Sequence, residues 1–155
     1  MTLWFKLFHI VAVIAFMGNI VTGLFWHAHA ARTKDAKILA HTMDGIIRSD
    51  RIFTNPGAIL IVLMGFGAAG TGHYPILHTG WILWTIILFT VSGAVFGIRL
   101  VPLQRKLREV ATAGATSGKF DYEAYHAMAK QWEMWGAVAL LTPLAGLCLM
   151  VLKPF

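Results

Sequence analysis

Apolar residues collect into four long runs along the chain, and most of the charged residues lie in the segments between them. A helix needs about 20 mostly apolar residues to cross the hydrocarbon core of a bilayer, and each run is about that long. The pattern predicts an all-α protein, a four-transmembrane-helix bundle that forms one integral membrane domain over residues 1–155. The predicted spans are residues 3–26, 53–71, 81–101 and 132–152.

Local signals refine the ends of these helices. Asn55 followed by Pro56 predicts the start of the second span, with Asn55 as the N-cap and Pro56 at the first helical position. Asp121 is a candidate cap for a helix that runs into the fourth span. Pro143, inside that span, removes a backbone donor and predicts a kink.

The basic residues are distributed unevenly over the connecting segments. Five lie between the first and second spans, and five between the third and fourth, whereas residues 72–80 carry no charge. They are Arg32, Lys34, Lys37, Arg48 and Arg51, and then Arg105, Lys106, Arg108, Lys119 and Lys130. The positive-inside rule predicts that both basic segments are cytoplasmic and that the N and C termini are outside.

Tryptophan positions agree with this arrangement, because an aromatic belt marks the two membrane interfaces. Five of the six tryptophans fall near predicted span ends. They are Trp4, Trp26, Trp81, Trp132 and Trp135.

The composition favours a membrane protein over a nucleic-acid-binding one. The chain is 57% hydrophobic and 13% charged, whereas soluble domains average about 25% charged residues. The net charge of +6 comes from bases that are mixed with acids beside apolar runs. Contact with an anionic lipid bilayer explains this distribution better than binding to nucleic acid.

Glycines within the spans predict close contacts between helices. Gly93 and Gly97 form a small-xxx-small pair on the third span, and Gly57, Gly65 and Gly67 lie on the second. These faces could also join two copies of the chain as a homo-oligomer.

Seven histidines raise the possibility of a metal or haem, because neutral imidazole is a common iron ligand. Four lie in or beside the polar segments, where a solvated histidine is ordinary, and two lie in the short uncharged loop. The four are His27, His29, His41 and His126, and the two are His73 and His78.

His9 differs from these because it lies about two turns inside the first span, where a polar ring needs a partner. Two interpretations stay open: a structural hydrogen bond to a neighbouring helix, or an axial haem ligand. His73, His78 and Met64 are candidates for the opposite ligand. His27 shares the helical face of His9 but lies roughly 27 Å away, so it would serve only a second haem.

A polar cluster is predicted near the basic side, formed by Asn19, Arg99 and Glu133. Ionisable residues at the border of a helical bundle usually pair. The alternative is that Arg99 and Glu133 extend to the lipid headgroups.

Several stretches resemble a family of small bacterial integral membrane proteins of unknown function. They are residues 4–10, 18–23, 53–57 and 101–104, and the likeness covers nearly the whole chain. The resemblance implies a multi-pass protein of the bacterial inner membrane.

A more distant likeness connects the chain to the haem-binding protoporphyrinogen oxidase of bacterial membranes and to the membrane domain of copper resistance protein D. In the oxidase, a lysine-x-x-histidine stretch opens the first span, which matches Lys6 and His9, and its end is similar to residues 151–155. The likeness implies that His9 binds haem b. The oxidase also has an essential lysine in its third span, and residues 81–98 contain none, so the likeness does not extend to that activity.

Together, these features predict a membrane-embedded redox protein or redox-enzyme subunit that binds haem b through His9, with a quinone or another redox membrane protein as its partner. A cofactor-free accessory subunit of a larger membrane complex is one alternative. A copper-handling membrane protein is another. If the protein is an enzyme, it is a membrane oxidoreductase.

Overall fold

The computed structural model describes residues 2–155, and over this range every regular element is a helix. The α-helices are α1 (Thr2–Ala31), α2 (Ala36–Ser49), α3 (Asn55–Thr71), α4 (Gly80–Val95), α5 (Val101–Ser117) and α6 (Tyr122–Leu152). Two π-helical turns, Asp50–Thr54 and Phe96–Leu100, join α2 to α3 and α4 to α5, and Ile76–His78 is a short 3₁₀ turn. The described chain therefore contains four continuous helices long and apolar enough to span a membrane, which confirms that prediction.

The helices pack in pairs. α1 packs against α3, α4 against α6, and α2 against α5. Large apolar side chains remain exposed on the outer faces of the long helices, for example Leu3, Ile14, Leu63 and Leu152. Such exposure is unfavourable in water but suits a surface in contact with lipid tails, which are as apolar as the side chains themselves.

The basic segments fold into helices that continue the spans. Buried positions recur every three or four residues in α2 (Leu39, Met43 and Ile46) and in α5 (Leu107 and Ala111). This spacing gives each helix one apolar face, and the two faces join the largest core of the protein. The predicted cap at Asp121 is confirmed, since its side chain accepts a hydrogen bond from the Ala124 N–H.

The prediction that Asn55 caps a new helix is wrong, although α3 does begin at Asn55 with Pro56 in its first turn. The Asn55 N–H bonds to the Asp50 carbonyl five residues earlier, and the helix that begins at Ala36 continues through Pro56. Proline lacks an N–H, and its ring clashes with the carbonyl four residues before it, so a wider turn lets the helix pass. A second π-helical turn precedes Pro102 in the same way.

Glycines in α3 allow α1 to approach closely, as predicted. A Cβ on Gly57 would lie 3.3 Å from the Cβ of Phe16, and one on Gly65 would lie 3.1 Å from Cε1 of His9. The prediction for Gly93 and Gly97 is wrong for contacts within the chain, because both are exposed and nothing in residues 2–155 would lie within 4 Å of a Cβ there.

The contacts of α4 with α6 come from a different face of α4. The Ser92 hydroxyl donates to the Ala139 carbonyl at 2.7 Å, and Thr85 fits against Gly146. Gly93 of α4 and Gly97 of the following π-helical turn therefore lie on the outside of the bundle.

The two ends of the bundle differ in charge. Thr2 donates to the Thr71 carbonyl, and the Lys153 ammonium lies over the Trp81 ring, so both ends of the described chain adjoin the uncharged loop 72–79. At the opposite end, the Lys34 ammonium lies over the Tyr122 ring. The basic segments share this second end.

Candidate functional site

The His9 ring lies between α1 and α3. Its Nδ1 is 2.9 Å from the Ile61 carbonyl oxygen, which can only accept, so Nδ1 carries the proton. In the neutral tautomer that has this bond, Nε2 has the free lone pair. The ring is half-buried and adjoins Gly65, where a larger residue would press on it.

The candidates for the second axial ligand, opposite His9, lie on the loop after α3 and within α3. His73 and His78 are exposed on the loop that follows α3, and His73 has a left-handed backbone with φ 57. Met64 is half-buried in α3, one residue before Gly65. Residues 2–155 contain no group of three or more histidine, cysteine, aspartate or glutamate side chains that could hold a metal ion.

His27 is completely buried, so the prediction of a solvated histidine is wrong. Its Nε2 lies 2.8 Å from the Tyr125 hydroxyl, and its ring contacts that of Trp132 at 4.9 Å between centroids. Nδ1 lies 3.4 Å from Glu133 Oε1 without a hydrogen bond. The reason is the length of α6, which begins ten residues before the predicted span and covers His27. Trp132, assigned above to an interface belt, is buried here as well.

The hydrogen bond between His27 and Tyr125 predicts a specific loss of stability. Tyr125→Phe leaves a buried ring nitrogen without its partner, and we expect the free energy of unfolding to fall by about 1–3 kcal/mol. Tyr122→Phe is the matched control, because Tyr122 lies one turn earlier in α6 and its hydroxyl makes no hydrogen bond within residues 2–155. Thermal unfolding in detergent, followed by circular dichroism, measures both. Equal losses in the two variants would contradict the assignment.

The three residues of the predicted polar cluster take separate partners. Glu133 adjoins His27, and the Arg99 guanidinium lies over the Trp135 ring at 5.1 Å. Arg99 is exposed on the outer side of a π-helical turn, where the indole face is within reach. The structure therefore does not bring Arg99, Glu133 and Asn19 together.

Asn19 instead belongs to a network that the sequence analysis missed. Its Nδ2 donates to Asp50 Oδ1 at 2.9 Å and to Thr54 Oγ1 at 2.8 Å. The Thr54 hydroxyl also donates to Asp50 Oδ1 at 2.7 Å, and Gln104 Nε2 donates to Asp50 Oδ2 at 2.8 Å. The sequence carried one signal of this network, since Asp50 is a carboxylate at the edge of an apolar run.

The π-helical turns position this network. Asp50 and Thr54 are the first and last residues of one turn, and they share a face of the helix. Gln104 lies two residues after Pro102, on the inner face of α5. The network thereby joins three of the four long helices through one carboxylate.

In comparison with known proteins, a family model described as predicted integral membrane protein (DUF2269) matches residues 3–154. No curated protein and no solved structure matches the chain. The distant likeness to the protoporphyrinogen oxidase and to copper resistance protein D therefore has no support from these comparisons.

Proposed function

The chain belongs to the DUF2269 family of predicted integral membrane proteins, and we propose that it is a membrane-embedded redox protein, or a subunit of a redox enzyme, that binds haem b through His9. The family description assigns no activity. The proposal depends on the chemistry of His9 itself.

The supporting observation is the hydrogen bond of His9 Nδ1 to the Ile61 carbonyl at 2.9 Å. Histidines that bind metals commonly donate their second ring N–H to a carbonyl or carboxylate, which sets the tautomer and holds the ring in place. In the neutral ring, this bond leaves Nε2 with the free lone pair that iron requires. Haem bound there would supply one-electron redox chemistry.

The same geometry limits where haem can bind. His27 is fully buried, and Tyr125 occupies its Nε2, so an iron porphyrin has no access to this ring. We therefore propose one haem, near the end of the bundle that carries loop 72–79. His73, His78 and Met64 remain the proposed opposite ligands, and a histidine–methionine pair would raise the reduction potential.

An absorption spectrum of the protein, purified in detergent from haem-replete cells, tests the proposal. We expect a Soret band and a reduced-minus-oxidised spectrum typical of b-type haem. Bound copper without a Soret band would favour the copper-handling alternative instead.

A cofactor-free protein would favour the accessory-subunit alternative. One feature supports this second candidate: Gly93 and Gly97 are exposed with open space around them. A partner helix, from another subunit or from a second copy, could closely approach the backbone of α4 and of the following π-helical turn at these residues.

We also propose that both basic segments face the cytoplasm of a bacterial inner membrane, with loop 72–79 and both termini outside. The charge difference between the two ends supports this orientation. Single cysteines at Thr79 and Ser117, in a protein with Cys148 replaced by serine, should react with a membrane-impermeant thiol reagent from opposite sides, Thr79 from outside. Labelling of both from one side would contradict the orientation.

A further inference from the structure

Asp50 is a buried carboxylate whose partners are all uncharged. It is 7% exposed, and its hydrogen bonds come from Asn19, Thr54 and Gln104. The ion pairs of residues 2–155 do not include it. Because burial of an unpaired charge is unfavourable, a proton is a natural ligand for this group.

A small cavity adjoins the network. Its volume is about 30 Å³, and its lining includes Asn19, Asp50, Gln104 and Trp132. The Trp132 indole N–H is buried and has no hydrogen-bond partner within the described residues. A water needs about 10–15 Å³ and two to four polar partners, so the cavity has room and partners for one. Such a water can accept from Trp132 and donate to Asp50 Oδ2.

A groove connects this region to the surface. It lies between α1 and α2, has a volume of about 320 Å³, and includes His41 and Ser49 in its lining. Asn19, Gly23 and Ile46 line both the groove and the cavity. Among these three shared residues, Asn19 is the one with a polar side chain, and it also hydrogen-bonds Asp50.

We propose that Asp50 is a proton-binding site that exchanges protons with the aqueous phase through the α1–α2 groove, with Asn19 as the gate. The bound proton forms one O–H bond on Oδ2, and the charge of the site changes from −1 to 0. The proton comes from hydronium in the groove, whose O–H bond breaks to leave water. This site does not depend on the proposed haem.

The network can form hydrogen bonds with both the ionised and the protonated form of Asp50. The ionised carboxylate accepts three hydrogen bonds from Asn19, Thr54 and Gln104. The protonated carboxyl has an O–H to donate, and rotation of the Gln104 amide by half a turn presents its oxygen as the acceptor. The cavity water is a second acceptor.

Other titratable groups near Asp50 are engaged elsewhere or exposed. Asp50 is the one titratable side chain that lines the cavity, and His41 is the one that lines the groove. On the packed elements, Asp44 pairs with Arg108, and Glu133 adjoins His27. Three further charged residues, Arg51, Arg99 and Arg105, are exposed on the outer surface. A proton on Asp50 is therefore not exchanged directly with another acid inside the bundle.

Infrared difference spectroscopy of the protein in phospholipid vesicles tests the assignment. On acidification, the wild-type protein should gain a carboxylic C=O band, and this band should be missing from the Asp50→Asn protein. Asp44→Asn is the control, because Asp44 is an acid outside the network, and its spectrum should keep the band. Gln104→Leu removes one donor to the ionised form, so its band should appear at a pH about one unit higher. If the Asp50→Asn protein does not fold, the Gln104→Leu shift provides the same test. A spectrum that is unchanged in Asp50→Asn, or a band that does not shift in Gln104→Leu, would overturn the proposal.

The gate is tested by exchange of the bound proton for deuterium. After transfer of acidified vesicles to D₂O, the C=O band of Asp50 should move to lower frequency, and it should do so at least several-fold faster in Asn19→Ala. Thr42→Ala, on the α2 side of the groove, is the control and should exchange at the wild-type rate. Equal rates in Asn19→Ala and the wild type would exclude Asn19 as the gate.

Discussion

The His9→Ala protein is expected to be purified with at least tenfold less haem than the wild type, while the bundle still inserts and folds. Iron coordination is a bond that no hydrocarbon side chain replaces, and His9 is the proposed axial ligand. The haem-to-protein ratio and the reduced-minus-oxidised spectrum measure the loss. His29→Ala is the control, because His29 is exposed on the same helix.

Rescue by a small molecule separates coordination from folding. His9→Gly leaves space for free imidazole, which should restore the haem spectrum if the lost function is ligation. A His9→Ala protein with full haem content and an unchanged spectrum would rule out His9 as the ligand.

The hydrogen bond that orients His9 is accepted by a backbone carbonyl, which a substitution does not remove, so the ring is best perturbed through its neighbour Gly65. The Cβ of Gly65→Ala would lie 3.2 Å from Nδ1, and the ring must shift by a few tenths of an ångström. We expect an altered spectrum at nearly normal haem content. Gly70→Ala, on the same helix with nothing within 4 Å, should leave the spectrum unchanged.

The Asp50→Ala protein is expected to lose about 3–5 kcal/mol of unfolding free energy. Two buried donors, Thr54 and Gln104, and the half-buried Asn19 amide lose an acceptor at once, and each costs about 1–3 kcal/mol, partly offset by relaxation. Asp50→Asn should lose less, since one amide oxygen still accepts. Chemical or thermal unfolding in detergent micelles measures both variants.

Asp44→Ala is the matched control for this prediction. Asp44 is a partly exposed acid in α2, and its contacts with Arg48 at 3.7 Å and Arg108 at 3.5 Å are surface ion pairs. Such pairs contribute at most about 1 kcal/mol. A loss of stability in Asp50→Ala no larger than that in Asp44→Ala would show that the network does not stabilise the fold.

The helical class and the four long helices could be read from the chain, whereas their ends and faces were only partly readable. Pro56 is a good example. Asparagine is favoured at the N-cap and proline at the first helical position, yet here a π-helical turn accommodates the ring and the helix runs on. Gly93 and Gly97 are a second example. Their spacing of four residues indicates a flat helix face, but it does not indicate which helix, if any, covers that face.

By itself, the sequence determined the number of the membrane helices and the apolar stretch within each. Within a bilayer every backbone N–H and C=O must be satisfied inside its own helix, so each apolar run of sufficient length is a helix whatever surrounds it. It also determined the chemistry available: one histidine deep in the first span, and bases gathered in two segments.

Only the tertiary structure decided which polar groups meet. The Tyr125 hydroxyl reaches His27 across 98 positions of the chain, and Gln104 reaches Asp50 across 54. Such contacts depend on the packing of side chains between helices, which no local pattern encodes. A buried polar group without a hydrogen-bond partner is unfavourable, so nearly all such groups are paired. Which group becomes the partner depends on what the packed helices place within about 3 Å.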